Sequence, residues 1–245
     1  MECEGRHDTP AAPANLSGFE LAIERYAKRD AARLSVPEGV VAIAGHAFEG
    51  HDELEAIELP ESLHTIDEHA FSGCMALRAV VLPAGVEHIG AHAFFECTSL
   101  EHVRIEGPVG SVGAYAFAHC GKLERVEGGT EVHSVGRFAF QGCRKLAQLP
   151  FAESLYDMGN SAFAGCAALE EVELPGVMGS IGAEAFRSCQ HLRRLLLPLR
   201  VEHVGKNIVS GCFTLRSMPH AHDIAELYPG SIPERTLARL VDDES

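Results

Sequence analysis

A phenylalanine recurs at a fixed interval along most of the chain. The marker residues are Phe48, Phe71, Phe94, Phe117, Phe140, Phe163 and Phe186, each 23 residues after the one before it. The next step of 23 residues reaches Ile208-Val209, which we interpret as a degenerate eighth copy. A unit this short is too small to bury its own apolar side chains, so the copies must stack and share one continuous core.

Three other positions of the repeat are apolar in every copy. Five residues before the marker the chain has Ile43, Ile66, Ile89, Val112, Val135, Met158, Ile181 and Val204. Six residues after it the chain has Leu54, Leu77, Leu100, Leu123, Leu146, Leu169, Leu192 and Leu215. Nine residues after it the chain has Ile57, Val80, Val103, Val126, Leu149, Val172, Leu195 and Met218. These columns are the predicted core.

The segments LEAIELP and LRAVVLP each contain alternating apolar residues and end in a proline, which predicts a short strand with one buried face. Stacked copies place such strands side by side in parallel, about 4.8 Å apart. Segments such as IGAHAFFEC have Gly, Ala and Phe at closer spacing, which favours a tight turn or short helix on the opposite side. We therefore predict an α/β right-handed solenoid with a parallel sheet on its concave face and short helices or turns on its convex face.

The repeat pattern L-x-x-[IV]-x-L-P-x-x-[LV]-x-x-I-x-x-x-A-F-x-x-C resembles the BspA-like, or Treponema-type, leucine-rich repeats. The resemblance covers roughly residues 34 to 219 and implies a leucine-rich-repeat solenoid. It also implies a bacterial or protist protein from a family whose members are often exported, several of them implicated in adhesion to host or partner proteins. It does not imply one function, because solenoids support many binding roles.

The ends of a solenoid need covers, and both ends of this chain have candidate segments. We expect a disordered tail at 1–16, an N-terminal capping helix at 17–33, the solenoid of about eight repeats at 34–219 and a C-terminal cap at 220–245. Ser17 and Glu20 form a capping-box pattern at the start of the first helix. The C-terminal cap is predicted to contain a turn and then a helix after Ser231.

Most of the cysteines share one position of the repeat. Seven of the eight stand three residues after the marker: Cys74, Cys97, Cys120, Cys143, Cys166, Cys189 and Cys212. A metal site would need ligands that converge on one point, and pairing as disulfides would strand one of the seven. We interpret the column as a structural ladder of buried thiols that fill a narrow turn and bond weakly to the backbone. Cys3 stands apart in the tail and has no assigned role.

Composition argues against several classes of function. The formal net charge is −15 and no basic patch occurs, so nucleic acid is not an expected partner. No apolar run approaches the roughly 20 residues needed to cross a bilayer, so we expect no membrane insertion. The N-terminus has no signal-peptide pattern, which predicts a cytoplasmic protein as written, whereas an export signal upstream of Met1 would place it at the cell surface. No catalytic motif is present, and we expect neither an enzyme nor a cofactor.

Two irregular features leave alternatives open. The position two residues before the marker is a histidine in three copies: His46, His69 and His92. Such a column could bind metal or sense pH, but it continues as Tyr115 and Phe138, which favours a half-buried packing position. The usual Leu-Pro becomes Ile105-Glu106-Gly107, then Gly128-Gly129, then Phe151-Ala152. The glycine-rich edge at 106–110 and 128–130 is either functional or drift at a surface turn.

The outward side chains of the predicted strands change chemistry from copy to copy, while the core columns stay apolar. The predicted partner-binding residues on the concave face are His102, Arg104, Arg125, Glu127, Glu171, Glu173 and Arg194. Alternating charge of this kind favours specificity and orientation over raw affinity. We predict a monomeric, non-catalytic module that binds a protein or peptide partner there, against the plain alternative of a solvated face. A cell-surface adhesin-type module is the next alternative, and a metal- or pH-responsive protein or small enzyme is more distant.

Overall fold

The computed structural model describes residues 32–238 and 240, whose repeats form two ladders of short parallel strands. The strands are β1 Arg33–Ser35, β2 Ala42–Ile43, β3 Ala56–Glu58, β4 Thr65–Ile66, β5 Ala79–Leu82, β6 His88–Ile89, β7 His102–Ile105, β8 Ser111–Val112, β9 Arg125–Gly128, β10 Ser134–Val135, β11 Asp157–Met158, β12 Glu171–Glu173, β13 Val177–Ile181, β14 Arg194–Leu196 and β15 Arg200–Val204. Two short helices follow, α1 Ala221–Leu227 and α2 Glu234–Leu237.

Neighbouring strands pair in parallel with a constant offset of one repeat. The first ladder has the order β1-β3-β5-β7-β9, and a separate pair, β12-β14, occupies the same position of the repeat further along the chain. The second ladder is one eight-stranded sheet in the order β15-β13-β11-β10-β8-β6-β4-β2. Ala79 pairs with His102, and Ile66 pairs with Ile89. The parallel solenoid predicted from the 23-residue period is confirmed.

The second ladder is a feature that the sequence interpretation missed. Its strands contain the column five residues before the marker, for example Ile66 in β4 and Ile89 in β6. The stretch from this column to the cysteine forms turns. In one copy His69 has φ of 58° and Gly73 has φ of 74°, whereas an α-helix needs negative φ at every residue. Within residues 32–219 the expected convex side therefore has turns and no helix.

One strand of the first ladder is missing, in the copy that follows Phe140. Gln148 lies at a bend, and Pro150, which has no amide hydrogen to donate to a ladder, is buried. The ring of Phe151 lies 2.6 Å from the position that a Cβ on Gly129 would take. A glycine at position 129 therefore makes room for this ring, and the expected continuous sheet is divided between β9 and β12.

The marker phenylalanines form the centre of the core. All seven are buried, and successive rings stack at centroid distances between 5.0 and 5.9 Å. The planes of neighbouring rings differ by 2° to 14°. The leucine column six residues after the marker is also buried in all eight copies. The core is thus a continuous stack along the solenoid axis, as the period predicts.

The cysteine column is a buried ladder of free thiols, as predicted. Each thiol donates to the carbonyl oxygen of the phenylalanine 26 residues earlier, at 3.0–3.2 Å from sulfur to oxygen. The Phe71 carbonyl, for example, accepts from the thiol of Cys97 and from the backbone amide of Cys74. The thiol therefore joins each copy to the copy before it, and this bond explains why a cysteine recurs three residues after the marker.

Burial raises the pKa of the thiols at Cys97, Cys143 and Cys166 well above the usual range, because an apolar core disfavours the thiolate. We therefore expect the seven ladder thiols to resist a thiol reagent in the native protein and to react after denaturation. Timed labelling and intact-mass measurement of a Cys3→Ser variant would test this expectation, since only ladder thiols are left to count. Rapid native labelling of several thiols would contradict the buried ladder.

The two ends of the solenoid depart from their predictions only in part. The expected N-terminal helix at 17–33 lies mostly outside the described residues, and Arg33, its expected last residue, begins β1. At the other end α2, Glu234–Leu237, forms after Ser231 as predicted, whereas α1 forms where a turn was expected. Ile224 of α1 is buried in the common core. The Tyr228 hydroxyl donates to the carbonyl oxygens of Val201 at 2.7 Å and Glu202 at 3.1 Å. This hydroxyl satisfies polar groups on the outer strand of the second ladder.

Neither of the two helices within residues 32–238 has the length and apolar character needed to cross a membrane.

Candidate partner-binding face

The outward side chains of the first ladder form a surface that we call the strand face, carried by β1, β3, β5, β7 and β9. Burial alternates along these strands, as in β7, where Val103 and Ile105 are buried and Arg104 is exposed. The alternation arises because successive side chains of a strand point to opposite sides of the sheet. The inward set completes the core, which leaves the outward set free to vary.

Four of the predicted partner-binding residues lie together on this face. In the pairing of β7 with β9, His102 stands opposite Arg125, and Arg104 stands opposite Glu127. We call these four residues the central cluster. Directly opposite residues on one face of a sheet have Cβ atoms about 5 Å apart, so the four side chains share one small patch.

The central cluster is held by exposed polar contacts. Arg104 Nη2 lies 3.0 Å from Glu106 Oε1, and Arg125 Nε lies 3.3 Å from Glu127 Oε1. Arg125 Nε also donates to His102 Nδ1 at 3.4 Å. Exposed ion pairs of this kind contribute on the order of 0–1 kcal/mol, so these contacts hold the guanidinium groups only weakly. The arrangement orders two guanidinium groups without burying them.

The other three predicted residues form a second patch. Glu171 of β12 stands opposite Arg194 of β14, and Glu173 stands opposite Leu196. This pair of strands is a separate two-stranded sheet, because the strandless segment before Phe151 interrupts the ladder. The structure therefore divides the predicted site into two patches along the solenoid.

Sequence reasoning left small apolar residues out of the site. Ala79 and Val81 point outward from β5, beside the central cluster, and Val81 is 49% exposed. In the register of β5 with β7, Ala79 stands opposite His102 and Val81 stands opposite Arg104. Ala56 of β3 extends the apolar area by one strand. The sequence shows these apolar residues at outward positions of neighbouring copies, Ala56 in one and Ala79 and Val81 in the next. The predicted site did not include them because it was chosen from charged residues and histidine.

The aromatic and histidine column forms a second ordered surface, in the turns between the two ladders. The rings of His46, His69, His92, Tyr115 and Phe138 stack in that order, at centroid distances of 4.9, 4.5, 4.6 and 4.7 Å. All five residues have positive φ, between 56° and 63°. Desolvation, followed by the neighbouring His69, lowers the pKa of His92. Four of the five are half-buried and His46 is exposed. The column is therefore packed along its length, and its first residue is open to solvent.

The thiol ladder is unsuited to nucleophilic catalysis. Each thiol bonds to a main-chain carbonyl, and desolvation favours its protonated form. A catalytic thiolate needs the opposite environment, with a cation or a helix N-terminus nearby and access for substrate. The cysteines of residues 74–212 are therefore assigned to the framework of the fold.

Comparison with known proteins places the chain in a family. The family described as BspA type leucine rich repeat region matches residues 23–146 and 110–231, with six copies. The crystal structure of a leucine-rich repeat protein of T. pallidum is similar, with 30% identity, coverage of 76% of this chain and 78% of that chain, and a TM-score of 0.55.

A leucine rich cell surface protein of Faecalibacterium prausnitzii shows 24% identity, with coverage of 87% of this chain and a TM-score of 0.48. The match covers 63% of that chain, which is less than two thirds of its length. No curated protein matches this chain. The extent of the family match and the likeness to the Treponema protein lead to one conclusion. The chain belongs to the family of BspA type leucine-rich repeat proteins.

Proposed function

We propose that the chain is a non-catalytic interaction module that binds a protein or peptide partner on the strand face. The observation that carries the proposal is the juxtaposition of Arg104 and Arg125, both exposed, with the small apolar side chains of Ala79 and Val81 on one rigid sheet. The core columns of the repeat do not require these outward residues. A rigid, mixed surface of this kind suits recognition because little ordering is needed on binding.

The chemistry of this face favours a partner segment that carries both acidic and apolar side chains. Carboxylates would pair with the guanidinium groups of Arg104 and Arg125, which can bind a carboxylate in a bidentate manner. Apolar side chains would lie over Ala79 and Val81. The second patch, with Glu171 and Glu173, would contact basic residues further along the same partner. Opposite charges at two positions would fix the direction in which the partner lies.

Display at a cell surface is a second candidate role, and membership of the BspA type family favours it. The same strand face would then bind a protein outside the cell. Fractionation of the source organism with an antibody to this chain distinguishes the two roles, since the adhesin-type role requires surface-accessible protein. Recovery only from the cytoplasmic fraction would exclude the adhesin-type role and favour an interaction module that acts inside the cell.

Affinity capture with charge-reversed protein tests the proposed face. We expect wild-type protein to retain a partner from a lysate of the source organism, with host extracellular proteins as a second source. The variant Arg125→Glu, Glu171→Arg, Arg194→Glu should lose this partner, because it reverses charge in both patches. Quantitative mass spectrometry of the bound fraction measures the loss, and circular dichroism checks that the variant is folded.

A matched variant separates the strand face from net charge. The triple change Arg144→Glu, Glu153→Arg, Arg187→Glu alters three exposed residues of the turns and produces the same change in net charge. We expect this control to retain the partner. Equal capture by all three proteins would overturn the strand face as the binding surface, and so would equal loss from the two variants.

A further inference from the structure

The first two residues of the aromatic and histidine column, His46 and His69, lie beside a carboxylate that the other described copies lack at the equivalent position. The Glu49 carboxylate lies beside the Nδ1 edges of the stacked rings of His46 and His69, with Oε2 at 2.7 Å from His46 Nδ1 and Oε1 at 3.7 Å from His69 Nδ1. The equivalent position in the following copies is Ser72, Phe95, Ala118, Gln141, Ala164, Arg187 and Ser210. The junction between the first and second copies therefore has a donor set of its own.

These three side chains supply a metal-ligating set. One nitrogen from each histidine and one carboxylate oxygen lie within 4.8 Å of one another, and no other group of this kind occurs among the described residues. Two imidazoles and a carboxylate are the protein ligands of many zinc sites that keep a position open for water or a further ligand. In tetrahedral zinc the ligand atoms are about 3.3 Å apart, given bonds near 2.0 Å, so the set must close by on the order of 1 Å.

His69 contributes two further observations. Its Nδ1 atom is shielded from solvent and has no hydrogen-bond partner, although the ring as a whole is 25% exposed. His92 Nδ1 is shielded and unpartnered in the same way, but only His69 has the Glu49 carboxylate beside this atom, where a metal ion would satisfy both groups. On the other side of the ring, Nε2 lies 3.6 Å from Glu68 Oε1. A carboxylate on the second ring nitrogen is the usual device that orients a metal-bound histidine.

We propose that His46, His69 and Glu49 bind a divalent transition metal ion, with zinc as the best match, and that water or a partner's side chain completes the coordination. The two rings are parallel within 8°, so binding requires each to turn about its Cβ–Cγ bond until both nitrogens point to one centre. This torsion has a broad energy profile, so the rotation itself costs little energy. Each histidine would bind the metal through one unprotonated ring nitrogen.

Zinc titration of the full chain tests this site. The protein carries Cys3→Ser, which removes the one thiol outside the ladder. Isothermal calorimetry with zinc at neutral pH should show one equivalent bound. His69→Asn and Glu49→Gln should each weaken binding by at least about tenfold, since loss of even an outer-shell partner has that effect. Asparagine is chosen because it tolerates positive φ and because Asn207 already occupies this column in the eighth copy.

The matched control is His92→Asn, which makes the same substitution at the next histidine of the column, outside the proposed ligand set. Its zinc affinity should equal that of the parent protein. Cobalt absorption gives a second measurement, because thiolate ligands produce an intense charge-transfer band and the proposed nitrogen and oxygen ligands do not. Three results would overturn the site: no saturable zinc binding, equal affinity in all variants, or a dominant thiolate band in the cobalt spectrum.

Discussion

Replacing Phe117 with alanine should lower the free energy of unfolding by about 3–5 kcal/mol. The ring is fully buried and lies between Phe94 and Phe140, at a centroid distance of 5.2 Å from each. The substitution removes the apolar area of the ring and leaves a cavity in the middle of a continuous stack. It also interrupts ring contacts in both directions, so the loss should lie in the upper part of this range.

Denaturant unfolding followed by circular dichroism measures the effect of Phe117→Ala. Phe213→Ala is the control, because Phe213 is 64% exposed and lies outside the stack. Its effect should be within about 0.5 kcal/mol, as for most surface substitutions. A loss below about 1 kcal/mol for Phe117→Ala would mean that the stack is not the main source of stability.

The change Gly182→Ala should have the second large effect, a destabilisation of about 3 kcal/mol. A Cβ at this position would stand 2.3 Å from the carbonyl carbon of Gly159 and 2.4 Å from the backbone nitrogen of Asn160. Both atoms belong to the backbone of the preceding copy, which cannot move aside as a flexible side chain would. The added methyl group must therefore push two copies apart.

Gly176→Ala is a matched control for this prediction. No heavy atom lies within 4 Å of a Cβ at Gly176, and its φ is not in the positive region. We expect a change within about 0.5 kcal/mol, with a small gain from the less flexible unfolded chain. Thermal unfolding of the two alanine variants beside the parent gives the comparison. Equal midpoints for both variants would contradict the close approach of backbones at Gly182.

Most of the fold could be predicted from the 23-residue period of the sequence. Phe117 and its equivalents mark equal steps, and equal steps with apolar columns in phase leave stacking as the only way to bury those side chains. The register follows directly, since Ala79 must pair with the residue one copy later, His102. The cysteine ladder follows too, because a residue repeated in phase occupies the same environment in each copy.

The features that the sequence did not predict depend on backbone conformation and on departures from the repeat. Residues with positive φ at His69 and Gly73 form turns, and a pattern of residue types does not report φ for a histidine. The missing strand depends on where Phe151 packs, which is a contact rather than a pattern. This missing strand also separates the predicted site into two patches, which the sequence did not reveal. The meeting of Glu49 with two histidines needs the stacking distance between copies, which only the structure supplies.

Binding on the strand face is tested most directly by a photo-cross-linking residue at position 81. Val81 is on the strand face and Met75 is in the turn before β5, and the two are 49% exposed each, so they form a matched pair in one copy. Each position is replaced in turn by a photoreactive phenylalanine analogue, and the protein is irradiated in the lysate used for capture. The proposed function predicts a cross-linked partner from position 81 and none from position 75. Cross-links from position 75 alone, or equal yields from both, would contradict binding on the strand face.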